Sequence, residues 1–143
     1  MPWSSGAGSG FTTGDPWLRL GPDAETRNVA AQISEPTSIL SAYRRLIALR
    51  AATPALQVGA FHPESQGAGD VVAYTRELPD QVILVVLDLG RKGSRWHLPR
   101  RSGVTGWRTL FGTSPAMSPD EVLPPETAIV LGPDGCLILE GIR

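Results

Sequence analysis

The sequence predicts a mainly β chain: an antiparallel β-sandwich preceded by an irregular loop and one α-helix. Three observations carry this reading. Residues 55–143 hold short apolar runs spaced about ten residues apart, with turn residues between them and no helical period. Residues 36–52 hold the one clear helical stripe, and residues 1–35 hold neither period.

The opening segment is rich in chain-breaking residues: Gly6, Gly8, Gly10, Gly14 and Gly21, with Pro2, Pro16 and Pro22. A structureless stretch of this length is either functional or disordered. Trp3, Phe11 and Trp17 argue against a plain linker, which rarely carries large aromatics. These rings either pin the loop to a neighbouring surface or contact a ligand.

In the helix, Ile39, Leu40, Tyr43, Leu46 and Ile47 recur at helical spacing, with Leu49 at the edge of the stripe. Arg44, Arg45 and Arg50 face away or snorkel, as a solvated basic face near a helix C-terminus. Pro36 suits the first turn with Ser34 or Glu35 as cap, and Pro54 stops the helix.

The expected strands are Leu56–Phe61, Val71–Arg76, Val82–Leu87, Arg95–Leu98, Trp107–Phe111, Ala128–Leu131 and Cys136–Leu139. Turns are read at Gly67 to Asp70, Leu78 to Asp80, Gly90 to Gly93, Gly112 to Pro115 and Gly132 to Gly135. Val82–Leu87 is apolar on both faces, which places it centrally, covered on each side.

Composition bounds the function. The chain has 143 residues, 41% hydrophobic and 19% charged, enough for an ordinary globular domain with a real core. A net charge of -1 draws it neither to nucleic acid nor to an anionic membrane, so no partner of either kind is expected. The longest apolar run, Val82–Leu87, is too short to span a bilayer. Met1-Pro2-Trp3-Ser4 lacks a basic start and leads into glycines, so no signal peptide is read and cytoplasmic residence is expected. The single cysteine, Cys136, excludes an internal disulfide and a multi-cysteine zinc site, and its apolar neighbours suggest a buried strand thiol.

The chemistry-bearing residues are sparse. His62 and His97 are isolated, without a second ligand at metal spacing, so no metal or cofactor is expected. Gly6-Ala7-Gly8-Ser9-Gly10 follows no strand and opens no helix, which excludes a nucleophile elbow and a dinucleotide fingerprint. Glycoside cleavage needs two carboxyl groups held at a fixed separation. Asp15, Asp23, Glu25, Asp70, Asp80, Asp120, Glu121 and Asp134 instead lie among turn residues. No catalytic residue is assigned.

One resemblance runs through the chain. Met1-Pro2-Trp3, Gly10-Phe11-Thr12-Thr13-Gly14-Asp15-Pro16-Trp17-Leu18, Asn28-Val29, Ser38-Ile39-Leu40 and Tyr43 to Arg50 are similar, in order and spacing, to oligo-1,6-glucosidases and related α-glucosidases. These belong to glycoside hydrolase family 13, of the α-amylase superfamily. Pro54-Ala55-Leu56, Gly59, Val72 to Arg76, the Val82–Leu87 strand and Leu123 to Ala128 resemble its C-terminal β-sandwich, domain C.

The resemblance implies residues 1–54 as the last barrel loop and eighth helix of a (β/α)8 barrel, and residues 55–143 as the sandwich. Barrel active sites lie at the loop end, so Trp3, Phe11, Thr12, Thr13 and Trp17 would shape a substrate entrance. The family's catalytic aspartate nucleophile, glutamate acid/base and second aspartate would lie on earlier strands. The chain is then expected to be inactive alone, as a fragment of a retaining α-glucosidase acting on short oligosaccharides, with the missing catalytic barrel as its partner. Homo-oligomerisation through helix 36–52 and weak binding of α-glucosides are further expectations. The alternative is a stand-alone carbohydrate-binding or oligomerisation module. Trp96 and Trp107 could form a sugar platform only if exposed, and their strand setting points to the core.

Overall fold

The computed structural model describes residues 2–64, 69–113, 118 and 120–143. The chain divides into two compact units, Met1–Ala48 and Leu49–Arg143. The opening residue of the first motif, Met1, lies outside the described residues, as do parts of two expected turns, Gly67-Ala68 and Ser114-Pro115.

The first unit is not structureless over residues 1–35. It contains a 3-10 turn, Ala7–Gly10, and a five-residue helix, α1 (Val29–Ile33). Such short pieces are under two turns long, so no period could announce them. α1 exists because Asn28 caps it. The Asn28 Oδ1 accepts from the Ala31 N–H at 2.9 Å, and its Nδ2 donates to the carbonyls of Ala24 and Glu25.

Helix α2 spans Ile39–Ala52, starting three residues later than Pro36. The cap is Ser38, whose Oγ accepts from the Ser41 N–H at 3.1 Å, rather than Ser34 or Glu35. Glu35 instead closes a turn, accepting from the Thr37 N–H and hydroxyl, and these bonds hold its carboxyl below the usual range. The α2 stripe is only half covered. Leu40, Leu46 and Leu49 are half-buried, whereas Ile39, Tyr43 and Ile47 are exposed.

After the end of α2, the second unit continues with α3 (Pro54–Val58), where the pattern had suggested a strand from Leu56. Thr53 holds extended backbone and Pro54 stands at the first helical position, its fixed φ suited to a helix start. The strand begins only after Gly59, where a Cβ would lie 2.5 Å from the Ala55 carbonyl oxygen.

Among the described residues eight strands follow: β1 (Ala60–Glu64), β2 (Val71–Leu78), β3 (Gln81–Asp88), β4 (Ser94–His97), β5 (Gly106–Gly112), β6 (Val122–Leu123), β7 (Ala128–Leu131) and β8 (Cys136–Ile142). They form an antiparallel six-stranded sheet, ordered β1-β2-β3-β8-β5-β6, and a two-stranded sheet, β4-β7. β6 escaped the sequence reading because two residues carry no alternation.

β3 is central, between β2 and β8, and buried on both faces as its unbroken Val, Ile and Leu run required. Val82, Leu84 and Val86 join Trp107, Leu137 and Leu139 in the core, packed with Trp96, Leu98, Ile129 and Leu131 from the two-stranded sheet and its flanks. Ile83 and Val85 point the other way, by the strand's period of two, and are buried too. A bulge between Thr109 and Phe111 shifts the β5–β8 register.

Polar side chains tie the edges. Arg101 meets Glu77 at 3.0 Å, Thr75 at 2.8 Å and Glu64, joining the segment after β4 to β1 and β2. Gln81 accepts from the Ala55 N–H at 3.0 Å and donates to Glu140 at 3.1 Å, and Glu140 also pairs with Arg108. Cys136 is half-buried, and burial pushes its thiol up.

Candidate substrate-entrance loop

The loop of the first unit is anchored at its start by backbone alone. The Trp3 and Ser4 N–H groups donate to the Ser9 carbonyl at 2.8 and 3.2 Å. The carbonyls of Pro2 and Trp3 accept from Val29 and Ala30, the first N–H groups of α1, which need partners outside their own helix. Residues 2–4 are thus clamped between the 3-10 turn and α1.

The turn is tight because three successive residues, Gly8, Ser9 and Gly10, hold left-handed backbone with φ of 62°, 53° and 65°. Two of the three are glycine, the residue with least steric cost there. At Gly10 space also decides: a Cβ would stand 2.8 Å from the Ser4 Oγ and 3.3 Å from the Trp3 Cβ. Further on, the Thr12 Oγ accepts from the Gly14 N–H at 3.1 Å and shapes the bend before Asp15.

Phe11, Thr12 and Trp17 line one open cavity of about 480 Å³ with Pro2, Asp15, Pro16, Leu18, Arg19, Leu20 and Gly21. Thr13 lines a neighbouring cavity with Phe11 and Thr12. Trp3 lines neither and is half exposed at the anchored end of the loop. Four of the five expected residues therefore gather, and Trp3 supports them through its backbone. Trp17 is 89% exposed, its ring free to meet a flat apolar surface.

The lining is chiefly apolar, with one carboxylate, Asp15, and one guanidinium, Arg19. Sequence reasoning did not single out Arg19 or Leu20. Their signal was their place just past the Pro16-Trp17-Leu18 stretch. A lone carboxylate cannot divide the acid and nucleophile roles between two groups. Among the described residues, no three His, Cys, Asp or Glu side chains come together as a metal would require. No helix among them is long and apolar enough to cross a membrane. Trp96 and Trp107 lie buried in the sandwich core and offer no sugar platform.

Residues 1–59 match the family model for the α-amylase catalytic domain. Trehalose-6-phosphate hydrolase of Escherichia coli K12 is 31% identical over 119 residues, covering 83% of this chain and 21% of the enzyme. The probable oligo-1,6-glucosidase 2 of Bacillus subtilis 168 is 32% identical over 103 residues, covering 72% of this chain and 18% of the enzyme. The solved trehalulose synthase MutB of Pseudomonas mesoacidophila MX-45 superposes with a TM-score of 0.83 at 33% identity, over 97% of this chain and 24% of that one. The chain spans about a fifth to a quarter of the length of these relatives. With a mainly β fold that matches their C-terminal region, it belongs to the α-amylase superfamily, glycoside hydrolase family 13.

Proposed function

We propose that this chain serves as the C-terminal part of an α-glucosidase that acts, with retention, on short α-glucosidic oligosaccharides in the cytoplasm. In this reading the sandwich buttresses the catalytic barrel, and the loop of residues 2–21 borders the substrate entrance with Trp3, Phe11, Thr12, Thr13 and Trp17. The chain contributes no catalytic carboxylate. The observation that carries the reading is the similarity of 72% of the chain to a probable oligo-1,6-glucosidase, with 97% of it superposing on part of the trehalulose synthase MutB. The α2 stripe adds support: Ile39, Tyr43 and Ile47 stand exposed at successive turns, a face that a missing barrel would cover. The same stripe suits self-association through helix 36–52, a second partner for the same residues.

Two measurements test it. The chain alone should not turn over a nitrophenyl α-glucoside above buffer, because one cavity carboxylate cannot supply both roles. A chimaera in which this chain replaces the matching end of the B. subtilis oligo-1,6-glucosidase should be soluble and active where the truncated enzyme is not. Turnover by the chain alone, or a chimaera no better than the truncation, would overturn the proposal.

A further inference from the structure

One pair of carboxylates lies outside every site described so far. Asp88 ends β3 on the core-facing side and is 1% exposed. Its Oδ1 accepts from the Gly90 N–H at 2.7 Å. Its Oδ2 is buried and has no hydrogen-bond partner among the described residues. Asp70, just before β2, reaches the same place from the neighbouring strand, its carbonyl accepting from the Leu89 N–H at 2.8 Å.

Gly90 is where the two meet. The point a Cβ would occupy there lies 2.5 Å from the Asp70 Oδ2 and 3.0 Å from the Asp88 Oδ1. A larger residue there would collide with both carboxylates, so glycine lets both approach the same stretch of backbone. The turn before β8 closes another side, with the Gly90 carbonyl accepting from the Asp134 N–H and the Gly135 carbonyl accepting from the Asp88 N–H. Among the described residues, no arginine or lysine is ion-paired with either carboxylate, although Arg91 and Lys92 are near in sequence and exposed.

One oxygen of the Asp88 carboxylate is thus satisfied and the other is buried without a partner, which costs free energy. A second carboxylate close to it adds like-charge repulsion. A cation removes both penalties at once. All the donors at hand are oxygens, which selects a hard cation over a transition metal. Calcium accepts irregular sets of carboxylate, carbonyl and water oxygens, whereas magnesium demands a near-ideal octahedron. We propose that Asp88 and Asp70 hold a calcium ion beside Gly90, fastening the start of β2, the end of β3 and the turn before β8. Asp70 is exposed, so water reaches the open side and completes the shell.

The test is thermal unfolding of the full chain, followed by the fluorescence of buried Trp96 and Trp107, after chelation and then with added calcium. Two carboxylates place the site in the weak class, with dissociation constants on the order of 0.1–1 mM. About 10 mM calcium should therefore raise the midpoint by several degrees. Magnesium at equal ionic strength should raise it less. Asp88→Asn and Asp70→Ala should each abolish the calcium increment, and Asp70→Ala lies at an exposed position that folding tolerates. The proposal falls if calcium leaves the wild-type midpoint unmoved, if magnesium matches calcium, or if Asp70→Ala keeps the full increment. It falls equally if Asp88→Asn is more stable than a wild type that ignores calcium, for then the buried carboxylate is unpartnered.

Discussion

Replacing Trp107 with phenylalanine tests the packing of the sandwich at its largest buried side chain. Trp107 is 0% exposed, and its indole N–H donates to the Pro99 carbonyl at 3.0 Å inside the core. Phenylalanine keeps the aromatic ring but removes both the donor and part of the volume. The buried Pro99 carbonyl, left without its indole donor, costs about 1–3 kcal/mol. The missing ring atoms cost roughly another 1 kcal/mol, since β5 lies between β6 and β8 and limits collapse into the gap. The sum, about 2–4 kcal/mol, is a large share of the stability of an ordinary domain. Urea unfolding should be followed by far-ultraviolet circular dichroism, because tryptophan fluorescence changes with the substitution itself. With a slope of about 1–3 kcal/mol per molar urea, the midpoint should fall by roughly 1 M or more at unchanged slope. Trp17→Phe is the control: that ring is 89% exposed, and the midpoint should not move. A Trp107→Phe midpoint within about 0.3 M of wild type would refute the reasoning, for it would mean that neither bond nor packing matters there.

Gly10→Ala should loosen the entrance loop by about 1 kcal/mol or more, since φ is 65° and the Ser4 Oγ stands in the way, and limited proteolysis should then cut within residues 2–28 sooner. Burial pushes the Glu140 carboxyl up, but hydrogen bonds from Arg108 and Gln81 and the Arg108 charge outweigh it, so its folded value lies below the ordinary one. The stabilisation is therefore present above the unfolded value and lost as pH falls through the folded value, so wild type and Glu140→Gln should differ at neutral pH and converge on acidification. Amide exchange should be slowest in β3, bonded on both sides by β2 and β8, and fast exchange there would contradict its central place.

What the sequence announced depended on length and period. β3 and β7 could be read almost to the residue, because apolar runs bounded by turn residues leave few alternatives. α2 was visible for its stripe, yet its start was misplaced: Pro36 is a good first-turn residue, but Ser38 carries the hydroxyl that caps the chain. Around Leu56, a local signal competed with a pattern. The Thr53-Pro54 start of a helix was overlooked in favour of β-like spacing. Three successive left-handed residues in the loop could not be foreseen, since Ser9 has no intrinsic preference for that region. Phe11, Thr12 and Trp17 were grouped through resemblance, and in the structure all three line one cavity with Asp15 and Pro16. The Asp70–Asp88 pair was invisible because Asp88 closes an apolar strand, and only the β2–β3 register sets Asp70 beside it.

The strand order has a consequence for how the chain is made. β8 lies between β3 and β5, yet it is the last of these strands to be synthesised. A ribosome therefore releases β1–β3 as a meander with β3 unpaired along one side, and β5 arrives with no neighbour but the two-residue β6. The exposed border of β3 is Val, Ile and Leu, the composition most inclined to recruit strands from other chains. Until residues 136–142 emerge, the growing polypeptide carries an adhesive edge at what will become the middle of its larger sheet.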